Sequence, residues 1–187
     1  MFPLGSVLFP GGALPLHVFE PRYQALVRDC IAAPDHEFGV VLIDRGSEVG
    51  GGEVRRDVGV VARMVQVLEL ADDRFAVVAI GAERIRVVQW LADDPYPRAV
   101  VERWAEQSTH EGDSALVDDI VRRAQQFARG GEAPVSSADA FEVAEQLPLG
   151  AADRYALLCA DGPAERWQAL DRALGDIEAA LAFRRDV

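Results

Sequence analysis

Apolar and polar positions along this chain follow two different periods, and the change falls a little past its middle. Residues 2–104 carry the pattern of short strands. Residues 2–8 and 14–19 are apolar stretches around the turn Pro10-Gly11-Gly12. Pro21 stands at the first position of a helix behind Glu20, and Tyr23, Leu26, Val27 and Cys30 recur at helical spacing up to a stop at Pro34. Residues 38–43 read as a strand, and Gly50-Gly51-Gly52 with its charged neighbours as a loop. A long strand is predicted over 58–70. Ala62, Met64, Leu68 and Leu70 share one parity and Val61, Val65 and Val67 the other, so burial on both faces is expected for part of its length. Asp72-Asp73-Arg74 marks a hairpin turn. Two further strands, 75–80 and 83–91, precede a last one over 96–104. Many short strands with one early helix predict a small closed or half-open barrel.

Residues 105–112 are polar and read as a linker, and everything beyond is helical. Asp113 is a candidate cap for a helix carrying Leu116, Ile120, Ala124 and Phe127, which would end at Gly130-Gly131. Ser136 or Ser137 would cap a second helix ending before Pro148, and residues 151–159 form a third. In the last, Pro163 takes the first position, and Trp167, Leu170, Leu174, Ile177 and Leu181 follow at alternating three- and four-residue steps. That stripe is expected to face the core, and its heptad-like spacing also permits a weak homodimer. The predicted class is therefore α+β, with a β lobe over 1–104 and a helical lobe over 113–187.

Composition narrows the chemistry. The net charge is −12, with the helical part more acidic than the β part, so phosphate backbones and anionic lipid are poor partners. All 19 basic residues are arginine. Without a lysine there is no phosphate-loop lysine, no Schiff base and no Ser–Lys dyad. The apolar opening lacks a basic leader, and Pro3, Pro10 and Pro15 would break a signal helix. No run approaches the roughly 18–20 apolar residues that span a bilayer. A cytoplasmic protein without a membrane partner is expected. Cys30 and Cys159 match no metal spacing and read as small buried thiols.

A resemblance emerges from the strand–turn–strand–helix opening. Phe2-Pro3-Leu4, Val7-Leu8-Phe9-Pro10-Gly11 and the run Leu14-Pro15-Leu16-His17-Val18-Phe19-Glu20-Pro21-Arg22-Tyr23 resemble the opening signature of the Lon protease N-terminal domain family. Asp57-Val58-Gly59-Val60-Val61-Ala62, Gly81-Ala82-Glu83-Arg84-Ile85-Arg86-Val87 and Pro95-Tyr96 are similar to its later strands, and Leu157-Leu158 with Glu165-Arg166 to its helical end. The resemblance implies a PUA-like pseudo-barrel followed by a helical lobe, in a unit that engages substrate proteins for a protease or serves as a scaffold. A full Lon protease continues into an ATPase and a protease domain. With no lysine and a last residue at Val187, neither activity is expected of this polypeptide.

The remaining motifs have plainer explanations than chemistry. In Phe19-Glu20-Pro21-Arg22-Tyr23, Phe19 is expected to plug the barrel, Pro21 to start the helix, Glu20 to favour its positive end, and Arg22 to pair with a carboxylate. His17, His36 and His110 lack the spacing of a metal site. Gly50-Gly51-Gly52 leads into Glu53-Val54, so a mobile loop is expected there and not an anion cradle. Asp72/Asp73, Asp93/Asp94 and Asp118/Asp119 are adjacent pairs that point apart, which suits turns and helix surfaces better than acid–base work. Arg55-Arg56, Arg122-Arg123 and Arg184-Arg185 keep an RNA-binding barrel open as the alternative reading.

The expectation is a non-catalytic module with no cofactor and no metal. It would capture unfolded or extended apolar polypeptide segments at the barrel's edge or in the cleft against the helical lobe, with His17, Phe19 and Tyr23 as site residues. A role as an adaptor for proteolysis or quality control, beside a protease or chaperone, follows from the resemblance.

Overall fold

The computed structural model describes residues 1–104, 114–127 and 139–185, with only the backbone at 184 and 185. The chain divides into two compact units, Met1–Ala105 and Glu106–Val187. The predicted linker, Asp113, Gly130-Gly131, Ser136, Ser137 and His110 lie outside the described residues.

The first unit is a six-stranded mixed sheet with one helix. Its elements are β1 (Phe2–Leu4), β2 (Ala13–Val18), α1 (Pro21–Ala32), β3 (Glu37–Arg45), β4 (Val54–Glu69), β5 (Phe75–Trp90) and β6 (Ala99–Arg103). The strands run β1-β3-β4-β5-β2, with β6 paired to the second half of β5. Among the described residues only β1 and β3 run parallel, and the other pairs are antiparallel. The sheet curls into a half-barrel around Phe9, Leu26, Val27, Val40, Val41, Val60 and Ile85, all essentially inaccessible to water. Helix α1 buries Tyr23, Leu26, Val27 and Cys30, the predicted helical set, and Pro21 occupies its first turn.

Two strand predictions are corrected. Residues 75–80 and 83–91 belong to one sixteen-residue strand, β5, which passes through Gly81 without a break. A Cβ on Gly81 would lie 2.1 Å from the Phe9 carbonyl oxygen, so glycine here serves a close backbone approach and not a turn. Leu68 does not share a buried face with Ala62 and Met64: a register shift between Met64 and Gln66 reverses the parity, leaving Leu68 57% exposed. Arg84, which alternates with Ile85 along β5, is buried as Ile85 is, with its guanidinium over the Trp104 ring. At the hairpin, Asp72 and Asp73 both take the left-handed conformation (φ 61° and 58°), which suits the twist of the strands they join.

The second unit comprises α2 (Ser114–Ala124), α3 (Ala140–Gln146), α4 (Ala151–Cys159) and α5 (Pro163–Arg185). Helix α5 packs on the other three, burying Trp167, Leu170 and Leu174 against a core that includes Ile120, Phe141 and Leu157. Ile177 and Leu181, the last two of the predicted stripe, are only half-buried, and so is Cys159. Asp139 caps α3 by accepting from the Phe141 N–H at 3.0 Å. Arg123 ties α2 to α5 by donating to Asp119, Asp171 and both oxygens of Glu178.

Candidate functional site

The outer edges of β1, β2 and β6 are unpaired among the described residues, and those of β1 and β2 frame a site. Among the described residues β1 pairs only with β3 and β2 only with β5. A groove of about 300 Å³ lies between these edges, closed at one end by the start of α1. Leu14, Pro15, Leu16, His17 and Val18 of β2 all line it, five residues in succession. A strand points alternate side chains to opposite faces, so an unbroken run can line a groove only when the groove follows the strand's edge. Phe2 and Leu4 of β1 form the facing wall.

The first residues of α1 complete the site. Tyr23 stacks on Phe2 with ring centroids 4.1 Å apart and 15° between planes, and Arg22 covers its other face at 4.4 Å. The Tyr23 phenol is buried without a hydrogen-bond partner, and burial pushes its pKa up to about 12. Phe19 does not plug the barrel as predicted. It is 52% exposed on the groove's rim, because Val18 takes the inward position at the end of β2 and Phe9 fills the interior.

The loop between β3 and β4 crosses the open side. Glu48 accepts from the Gly5 N–H at 2.5 Å, Arg22 donates to the Glu48 carbonyl at 3.3 Å, and the Gly50 N–H donates to Glu20 at 3.3 Å. These bonds bring Glu48 and the half-exposed Val49 into the lining, on a loop whose glycines 50 to 52 all have positive φ. Arg22 also pairs with Glu20 at 3.3 Å, as the signature suggested. Both groove carboxylates are thus engaged in positioning the loop and α1.

His17, Phe19 and Tyr23, the three residues singled out from sequence, all line this one groove. Phe2, Leu4, Glu48 and Val49 were missed. Phe2 and Leu4 lay within a recognised motif, but their place opposite β2 depends on the parallel pairing with β3. A second, more open groove of about 410 Å³ runs along residues 64 to 67 of β4, beside Ile31 and His36. Asp93, one of the adjacent acidic pairs, is bound at both oxygens by Arg55, which holds its carboxyl below the usual range. Among the described residues no cluster of three potential metal ligands occurs, and no helix is long and apolar enough to cross a membrane.

Comparison with known proteins gives a consistent picture. The family model of the ATP-dependent protease La (LON) substrate-binding domain matches residues 1–174. Lon protease 2 of Myxococcus xanthus is 36% identical over 107 residues, covering 57% of this chain and 13% of that protein. Lon protease of Anaeromyxobacter dehalogenans is 34% identical over 116 residues, 62% of this chain and again 13% of the relative. The chain therefore spans a small fraction of these relatives, in the region of the substrate-binding domain and outside the protease domain. A solved Lon N-terminal domain protein from Xanthomonas campestris matches with a TM-score of 0.68 at 29% identity, covering 90% of this chain and 94% of that one. The N-terminal domain of the Mycobacterium avium complex Lon protease, at 19% identity and a TM-score of 0.65, has the same fold.

Proposed function

The chain belongs to the ATP-dependent protease La (Lon) substrate-binding domain family, and from that premise we propose that it is a non-catalytic module that captures unfolded or extended polypeptide in the β1–β2 groove. The observation that carries this reading is the groove's construction. Phe2, Leu4, Leu14 and Leu16 give the groove apolar walls, with the exposed Phe19 at its rim. The carboxylates there are held by neighbouring donors, and the sequence has no lysine to serve as a nucleophile's partner. As an adaptor, the protein would present captured segments to a protease or chaperone in the cytoplasm.

The RNA-binding alternative has less support. The net charge is −12, and Arg55, Arg63 and Arg103 of the β unit are already paired with carboxylates. Fluorescence anisotropy of a labelled, permanently unfolded polypeptide and of a labelled RNA separates the two. Saturable polypeptide binding with silent RNA is expected. RNA binding that weakens steeply with salt, with no polypeptide binding, would refute the proposal.

A further inference from the structure

The groove offers more than an apolar wall, because one side of it is a strand with unused main-chain hydrogen bonds. Taking the groove as the polypeptide site, as above, we propose that its occupant is a neutral or basic extended segment that pairs with the outward edge of β2 as an added strand.

The register identifies the free groups. Residues of β2 pair with β5 from Ala13↔Ile80 to Val18↔Phe75, and one step further back the Gly81 N–H donates to the Gly12 carbonyl at 2.9 Å. In an antiparallel pair such hydrogen-bonded positions recur at every second residue. Leu14, Leu16 and Val18 therefore direct their amides to β5, while Ala13, Pro15 and His17 direct theirs into the groove. Proline at the middle of these positions fits that assignment, since it has no N–H to lose from the β5 ladder. The outward edge presents N–H groups at Ala13 and His17 and carbonyls at Ala13, Pro15 and His17.

The same features select the occupant. A second copy of β2 would bring a second Pro15, removing another donor from an already interrupted ladder, and would approach with a net charge of −12. A foreign extended segment meets neither obstacle. Phe2 and Leu4 offer an apolar wall to one of its faces, and Glu20 and Glu48 are among the lining residues; Arg22 offsets Glu20, while Glu48 is held by a backbone N–H and keeps its negative charge. Valine-like residues alternating with lysine or arginine match both.

The test uses the full chain and fluorescein-labelled peptides of about ten residues, enough to cover the edge at roughly 3.3 Å per residue. One alternates valine with lysine, a second valine with glutamate, and two more carry N-methyl groups on every second residue of the lysine peptide, in either phase. The lysine peptide should bind, and the glutamate peptide should bind at least about tenfold more weakly at low salt. His17→Pro removes an outward donor that β5 does not use and should bind about tenfold or more weakly than His17→Ala, which loses the same ring but keeps the donor. One N-methyl phase should abolish binding and the other should not. This arm needs no protein variant, so it decides the matter even if His17→Pro unfolds.

Equal binding in both N-methyl phases, or by folded His17→Pro and His17→Ala, would overturn the added strand. A dimer in light scattering that His17→Pro converts to monomer would overturn it in favour of a second copy. If the unfolded polypeptide binds but none of these peptides does, the added strand fails and the polypeptide-binding reading stands. If nothing binds, both fail.

Discussion

Replacing Gly81 with alanine tests how the groove's strand is held in place. Gly81 lies where β5 passes beneath the 9–12 turn that launches β2. A Cβ there would sit 2.1 Å from the Phe9 carbonyl oxygen and 3.0 Å from its carbon. Comfortable carbon–oxygen contact begins at about 3.3 Å, so turn and strand would have to separate by roughly 1 Å. They are clamped at this point: the Gly11 N–H donates to the Gly81 carbonyl at 2.8 Å, and the Gly81 N–H to the Gly12 carbonyl at 2.9 Å. A separation of that size stretches both bonds past useful length. Two backbone hydrogen bonds contribute about 1 kcal/mol each, and forced expansion at a packed site costs about 1–3 kcal/mol more. Alanine's smaller unfolded-state entropy returns about 0.4–1 kcal/mol. The net expectation is a loss of about 3 kcal/mol, a large share of the ~5–15 kcal/mol that a domain has.

Urea unfolding followed by residue-resolved amide exchange reads the loss in the β unit, where Trp90 and Trp104 also report. The midpoint should fall with the slope unchanged. Gly175→Ala supplies the opposite control, because nothing lies within 4 Å of its Cβ position and it sits inside α5. Alanine there should stabilise the helical unit by about 0.5–1 kcal/mol. If Gly81→Ala instead lies within about 0.5 kcal/mol of the parent chain, the close approach does not constrain the turn, and the account of how β2 is placed is wrong.

Three further outcomes follow from the same geometry. Tyr23→Phe deletes a buried hydroxyl that has no partner and should leave stability unchanged or raise it by about 1–2 kcal/mol, and a clear loss on chemical unfolding would mean the phenol is satisfied after all. The Met1 amine donates to the Pro97 carbonyl at 2.7 Å, and burial lowers its pKa from 8.0 to about 6. The unfolded chain therefore binds more protons between those values, so stability should fall by about 2 kcal/mol from pH 8 to pH 6, a slope that acetylation of the amine should remove. Arg123→Met breaks the contacts to Asp119, Asp171 and Glu178 and should lower the unfolding midpoint of the helical unit, with a smaller effect in about 1 M salt; an unchanged midpoint at low salt would show that the cluster contributes nothing.

Which features were legible in the sequence follows from what apolar periodicity records. It marks burial along one element, so the inner face of α1 and the first three positions of the α5 stripe could be read directly. The nearness of His17, Phe19 and Tyr23 was equally local, because a strand running straight into a helix at Pro21 keeps its last residues beside the helix's first turn. Features that depend on pairing were hidden. The bulge after Met64 turned Leu68 outward, Gly81 resembled a strand end because its real constraint is a carbonyl seventy-two residues earlier in the chain, and Phe2 and Leu4 joined the site only through β3. The groove itself is of this second kind, since it consists of hydrogen bonds the sheet does not make. Pro15 is the one residue that bears on those bonds directly. An inward amide at that position would have been needed by β5, so a proline in the middle of β2 already implied that its nitrogen faces away from the sheet. Read that way, the signature that identifies the family also contains a mark of the open edge on which the proposed binding depends.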